Sequence, residues 1–225
     1  MRPQHSTTIV LHRVNYGEAD KIVTLLTKDG NKLSAIAKGV RKPKSRLTAS
    51  VELFCVCDIS YVQGRGGMAT LTGANIKQQY GGFLANYEKV QYAYDVIKAV
   101  NSLTEQNAGA EHFAVLCDLY LGLEQPQAPL EVLWAWVRLL QLHGRGIQLN
   151  KQTNGEPFLD NAKYFFDIEN AGFFAAVSGN FLPEHIKLLR LLYKYPPSKL
   201  VGVANANNYA QDLIAPIKQF ALSAT

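Results

Sequence analysis

Ala37 to Arg46 reads AKGVRKPKSR: five cations, Lys38, Arg41, Lys42, Lys44 and Arg46, in ten residues with no acid among them. Such residues neutralise a polyanion, lysine as a mobile point charge and arginine as a forked donor that fits phosphate oxygens. Ser45 adds a hydroxyl to the same stretch. A solvated charged turn has the same composition, so its place in the fold must decide between the two readings. Residues 1–77 hold 12 Lys and Arg against 5 Asp and Glu, a net +7, whereas 78–225 hold 11 against 13, a net −2. The excess positive charge therefore lies in the first third of the chain, where Lys21, Lys28, Lys32 and Arg65 accompany the loop.

Other residue sets offer less chemistry. Gly64-Arg65-Gly66-Gly67 lacks the Gly-Lys-Ser/Thr ending and the following helix of a phosphate loop, so it reads as a hairpin turn carrying one surface cation. Three cysteines, Cys55, Cys57 and Cys117, argue against a disulfide framework. Cys55 and Cys57 share one face of a strand and read as small core fillers, because no second pair completes a metal site. The histidines His5, His12, His112, His143 and His185 are scattered, and no GxSxG marks a nucleophile. Neither catalysis nor a cofactor is expected. Trp134 and Trp136 stand about 200° apart on a helix, which assigns one to the core and the other to a domain or partner interface. Tyr16, Phe54 and Tyr61 stack on bases if they face outward, and otherwise belong to a core.

The elements that must position these residues change character near Phe83. Thr7 to Val14, Lys21 to Lys28, Lys32 to Lys38, Val51 to Val62 and Met68 to Gln78 read as strands, with Asp29-Gly30-Asn31 a hairpin turn. Five strands without a long intervening helix predict a small closed barrel of the OB type, a fold whose strands and loops bind oligonucleotides. From Phe83 the period becomes 3.6, with helices predicted over Leu84 to Leu103, Ala110 to Leu121, Leu130 to His143 and Glu184 to Lys194. A last helix, Asn207 to Leu222, is expected to be interrupted near Pro216. The expected fold class is α+β: an OB-fold nucleic-acid-binding domain over 1–80 and an all-α helical bundle domain over 81–225. Residues 145–182 form an irregular insertion in the second domain, with room for one short hairpin. No segment approaches the ~18 apolar residues of a membrane span, so a cytoplasmic protein without membrane contact is the default.

The segment Tyr16-Gly17-Glu18-Ala19-Asp20-Lys21 resembles the YGExDR-type opening of the bacterial recombination mediator family RecO. Ala37 to Arg46 is similar to that family's AKGxRxxxSR loop, and Gly64-Arg65-Gly66 leading to Leu71-Thr72 to its GRGxxxxLT hairpin. The likeness is specific over residues 7–80 and looser through the helices, where Leu139 to Gly144 carries it. It implies an N-terminal OB-fold, a helical domain, and a non-catalytic, nucleoid-associated protein that binds single- and double-stranded DNA and anneals complementary strands. The partners it implies are RecR, the C-terminal tail of the single-stranded DNA-binding protein SSB and, indirectly, the recombinase RecA. The family's tail pocket falls near Trp134, Arg138 and His143, without a motif that matches residue by residue. Many members also bind zinc through two cysteine pairs. Here the corresponding segments, Leu149 to Gly155 and Phe166 to Phe174, contain no cysteine, so hydrogen bonds and apolar packing must hold that region.

Two readings of other classes stay open on the residues alone. The barrel could bind RNA, since phosphate contacts do not separate the two nucleic acids. Alternatively, the chain could be a protein-interaction adaptor whose basic barrel meets an acidic partner.

Overall fold

Strand β1 (Gln4–Tyr16) is 13 residues long and pairs antiparallel with both β2 (Asp20–Thr27) and β4 (Cys55–Gln63). Strand β3 (Lys32–Ala37) pairs with β2 and, in parallel, with β5 (Ala69–Gln79), which in turn pairs with β4. The order β1-β2-β3-β5-β4 closes on itself as a barrel. The computed structural model describes residues 2–43, 45, 47–64, 66–104 and 108–223. Lys44, Arg46 and Arg65 lie outside the described residues.

The barrel interior is filled by alternate residues of every strand, among them Val10, Val23, Leu25, Ala35, Cys57 and Leu71. Small side chains at Ala35, Ala37, Ala69, Cys55 and Cys57 suit the narrow bore of five strands. The Cys55 and Cys57 sulfurs lie 3.5 Å apart within this core as free thiols. Along β1 the residues Thr8 to Leu11 are buried without alternation. Their register explains why: Val10 and Leu25 face the bore, and the intervening pair Ile9 and Leu26 faces outward. Helices α1 (Tyr87–Leu103) and α2 (Ala110–Leu123) pack against β1 and β2.

Contacts within the chain divide it into two compact units, one ending at Glu124 and one beginning at Gln125. Helices α1 and α2 thus belong with the barrel, although the sequence period changes some forty residues earlier. Three features attach them. Gly30, at φ 91° in the β2–β3 turn, approaches Gly109 so closely that a Cβ there would lie 2.2 Å from the Gly109 carbonyl carbon. The Gly30 carbonyl also accepts from Ala108 N at 2.7 Å. Phe54, left-handed at φ 64°, places its ring edge-on to Phe83 and Tyr120 at centroid distances of 5.3 and 5.7 Å. The third is Lys32, whose geometry belongs with the cations below.

The second unit centres on α3 (Pro129–Leu142), which starts with proline at its first turn as its sequence requires. Every residue from Val132 to Val137 is buried, so Trp134 and Trp136 both belong to the core. A helix that is apolar all round is covered on every side. Helix α5 (Ala206–Leu222) packs on α3 and continues through Pro216 without a break. Burial of Leu213, Ile214, Ile217 and Phe220 on both sides of the proline holds the helix across the missing N–H. Helix α4 (Pro183–Leu192) also packs on α3 and α5.

Residues 145–182 contain the hairpin β6 (Tyr164–Asp167) and β7 (Gly172–Ala175). Gln152, 4% exposed, joins its two segments: Nε2 donates to Pro157 O at 2.8 Å and Oε1 accepts from Ala175 N at 2.7 Å. Thr153 N donates to Phe173 O at 2.9 Å, and Phe173 packs edge-on to Phe181. Hydrogen bonds and aromatic packing hold this region together. Arg190 fastens it to α4 by donating from Nε to Leu149 O at 2.7 Å.

Two stability changes are expected. Gly30→Ala forces the turn away from Gly109 and should cost at least about 2 kcal/mol in urea denaturation. Gln152→Ala removes both hydrogen bonds that this buried side chain makes to the backbone, at Pro157 and Ala175, and should cost about 1–3 kcal/mol. A thermal melt unchanged by either substitution contradicts the corresponding contact.

Candidate nucleic-acid interface

Strand alternation sorts the cations before any ligand is considered. Asn15 pairs with Lys21 and Arg13 with Val23, in the rows that continue the bore-facing pair Val10 and Leu25. Arg13 and Lys21 therefore turn toward the end of the bore, where both ion-pair with Glu52, Lys21 at 3.3 Å. Burial, then the charges of Arg13 and Arg41, lowers the Lys21 pKa. Arg13, Lys21 and Arg41 thus lie near one end of the barrel, the first two paired with Glu52.

The basic loop leaves β3 at this end. Val40, 1% exposed, inserts into the barrel core, while its neighbours Lys38, Arg41 and Lys42 remain exposed. One apolar side chain thereby anchors a charged loop. Gly39, left-handed at φ 65°, donates its N–H to Asp20 Oδ1 at 2.7 Å, and Arg41 N donates to Ala19 O at 2.8 Å. Thr48 Oγ1 donates to Val40 O at 2.7 Å. The Arg41 guanidinium donates from Nη1 to Gly17 O at 3.3 Å, which ties the loop to the β1–β2 turn. Sequence reasoning missed Val40 and Asp20 as the residues that position the loop. Their signal was a lone valine within a cationic run and an acid at the start of the facing strand.

The remaining expected cations go elsewhere. Lys32 Nζ donates to Asn101 O and Thr104 O, both at 2.9 Å, at the C-terminal end of α1. A cation there complements the exposed carbonyls and the negative end of the helix dipole. Burial lowers the Lys32 pKa. Lys28 is exposed beside the β2–β3 turn, close to Lys32. Since β3 spans six residues, roughly 20 Å, Lys28 and Lys32 lie at the opposite end from Lys38. Gly64 and Gly67 lie between β4 and β5, with Gly64 N donating to Met68 O at 3.1 Å. The structure thus brings Lys38, Arg41 and Lys42 together with Lys21 behind them, and does not bring them together with Lys28 and Lys32.

Of the three aromatic residues considered for stacking, Phe54 is buried and Tyr61 packs against the barrel core. Tyr16 is 54% exposed. In the second unit, Trp134 is 8% exposed, whereas Arg138 and His143 are half-buried at the end of α3. Arg138 donates to Gln141 Oε1 at 2.8 Å. Burial, then the charge of Arg145, holds the His143 imidazole below its ordinary pKa, which favours its neutral form. Among the described residues no group of His, Cys, Asp and Glu is arranged to hold a metal, and no helix is long and apolar enough to cross a membrane.

Known proteins resemble this chain most clearly over the barrel. Residues 1–80, the whole barrel, match the family described as Recombination protein O N terminal. The DNA repair protein RecO of Acetivibrio thermocellus is 32% identical over 139 residues, covering 60% of this chain and 55% of that protein. The RecO of Heliobacterium modesticaldum is 34% identical over 116 residues, covering 52% and 42%. That of Exiguobacterium sp. is 29% identical over 214 residues, covering 89% and 82%. The chain thus spans about half the length of the first two of these relatives.

Lys32→Ala should lower stability by about 1–2 kcal/mol while leaving affinity for an oligonucleotide within twofold of the unsubstituted protein. Fluorescence anisotropy alongside a urea titration separates the two effects. A large loss of affinity with unchanged stability would reverse the assignment.

Proposed function

We propose that this chain, whose barrel belongs to the RecO family of DNA repair proteins, is a non-catalytic DNA-binding mediator of recombinational repair. The observation that carries this reading is the exposed trio Lys38, Arg41 and Lys42, held on an anchored loop at one end of an OB-type barrel. Phosphates approaching that end meet Arg41, held by its backbone and guanidinium hydrogen bonds, with Lys38 and Lys42 exposed beside it. Two complementary strands held there repel each other less, so they pair faster. The chemistry is charge neutralisation and counterion release, and it needs no covalent step. Because the cations contact phosphate rather than bases, single- and double-stranded DNA both fit, without sequence preference.

By the same family resemblance, RecR and the SSB tail are the proposed protein partners, with RecA loading at gaps as the outcome. The second unit is the proposed site of protein contact. Trp134 is enclosed in its core, so Arg138 supplies the cation for an acidic tail and His143 a hydrogen-bonding group beside it.

The test is the variant Lys38→Ala, Arg41→Ala, Lys42→Ala in binding and annealing assays. Three phosphate contacts contribute about 2 to the single-strand log–log salt slope, so the slope should become shallower by about that amount. Annealing of complementary oligonucleotides should slow in parallel. An unchanged slope and annealing rate would remove the loop from the interface.

A further inference from the structure

Tyr16 is the last residue of β1, paired with Asp20 across the mouth of the barrel. Its row alternates with the inward row of Asn15 and Lys21, so its ring stands on the outer face. Just over half of the residue is open to solvent. Within the strands and loops of the barrel, Phe54 and Tyr80 are buried and Tyr61 is half-buried against the core. The surroundings of Tyr16 are fixed on both sides. Asp20, its cross-strand partner, is held by the Gly39 N–H, and the carbonyl of Gly17, its chain neighbour, accepts from Arg41 Nη1. The ring therefore stands beside the stem of the basic loop, with the guanidinium one residue away along the chain.

An exposed ring beside fixed cations has the two parts that a single-strand site needs, a π-face for a base and positive charge for the adjoining phosphates. A duplex presents the same phosphates but keeps its bases stacked inside, out of reach of a ring on the outer face of a barrel. We infer that Tyr16 is a base-stacking residue that gives the cationic end of the barrel its preference for unpaired strands. This rests on the DNA-binding reading above and adds to it a source of discrimination that charge alone cannot supply. The ring holds one unpaired base while Lys38, Arg41 and Lys42 hold the neighbouring phosphates. Stacking tolerates any base, so the preference is for strand state and not for sequence.

The experiment compares Tyr16→Ala, Tyr16→Phe and the triple cation variant for binding to an oligo(dT) single strand and a duplex of equal length, at several salt concentrations. Tyr16→Ala should bind the single strand about tenfold more weakly. It should leave duplex affinity and both salt slopes unchanged, and Tyr16→Phe, which keeps the ring, should bind like the unsubstituted protein. The triple variant should weaken both ligands and flatten both slopes. Equal affinity of Tyr16→Ala for the single strand, or an equal loss on both ligands, overturns the stacking role while a flattened slope in the triple variant leaves the DNA-binding reading standing. No binding of either ligand by the unsubstituted protein at low salt overturns both. Circular dichroism melts of each variant separate a stacking loss from unfolding, and Tyr16→Phe behaving like Tyr16→Ala would assign the effect to the hydroxyl and also overturn the stacking role.

Discussion

Closure of the barrel through β1 is the constraint on which the first unit depends. One strand of 13 residues pairs with β2 along its C-terminal part and with β4 along its N-terminal part, so the ladder has no free edge. Closure fixes which residues face the bore, and the narrow bore admits mainly small or β-branched side chains. It also leaves each end of the barrel to its loops. The basic loop fills one end with Val40 and keeps its cations outside. The β2–β3 turn at the other end is pressed against Gly109, at the start of α2.

Once the barrel is closed, strand alternation determines what each charge does. Lys21 and Lys38 lie near the same end, yet Lys21 turns inward to Glu52 and Lys38 stays in solvent. Lys32 is spent on the carbonyl end of α1. The charge available to a ligand is therefore smaller than the net +7 of the first 77 residues, and more sharply placed. A ligand at the loop end meets Arg41, already bonded to the β1–β2 turn through its backbone N–H and its guanidinium, with Lys38 and Lys42 exposed beside it.

The second unit solves a different problem, an irregular segment of nearly forty residues with little regular hydrogen bonding. Gln152 bridges the Pro157 carbonyl and the Ala175 N–H of β7, and Arg190 bonds the Leu149 carbonyl from α4. Arg145 donates to the Phe220 carbonyl at 2.6 Å while lying 4.2 Å over the Phe220 ring, capping the end of α5. Buried and half-buried polar side chains that bond backbone atoms do the cross-linking here.

Much of the architecture was legible in the sequence because it rests on local signals. Alternation and the Asp29-Gly30 turn gave the five strands, the period of 3.6 gave the helices, and the clustered cations of the loop stood out by composition. Pro216 misled, because its local cost is outweighed by the apolar face on both sides of it. Trp134 misled in the same way: a spacing of two predicts opposite faces, and only the packing of α3 shows that both faces are covered. The sequence by itself determined a barrel of small-residue bore, a helical remainder and a cationic loop. Tertiary structure alone decided that Lys21 and Lys32 have internal partners, that Val40 anchors the loop, and that Tyr16, unlike Phe54 and Tyr61, stands exposed on the barrel. The reason is physical: strand and helix periods are written along the chain, whereas the partner of a charge and the cover over a ring come from residues tens of positions away.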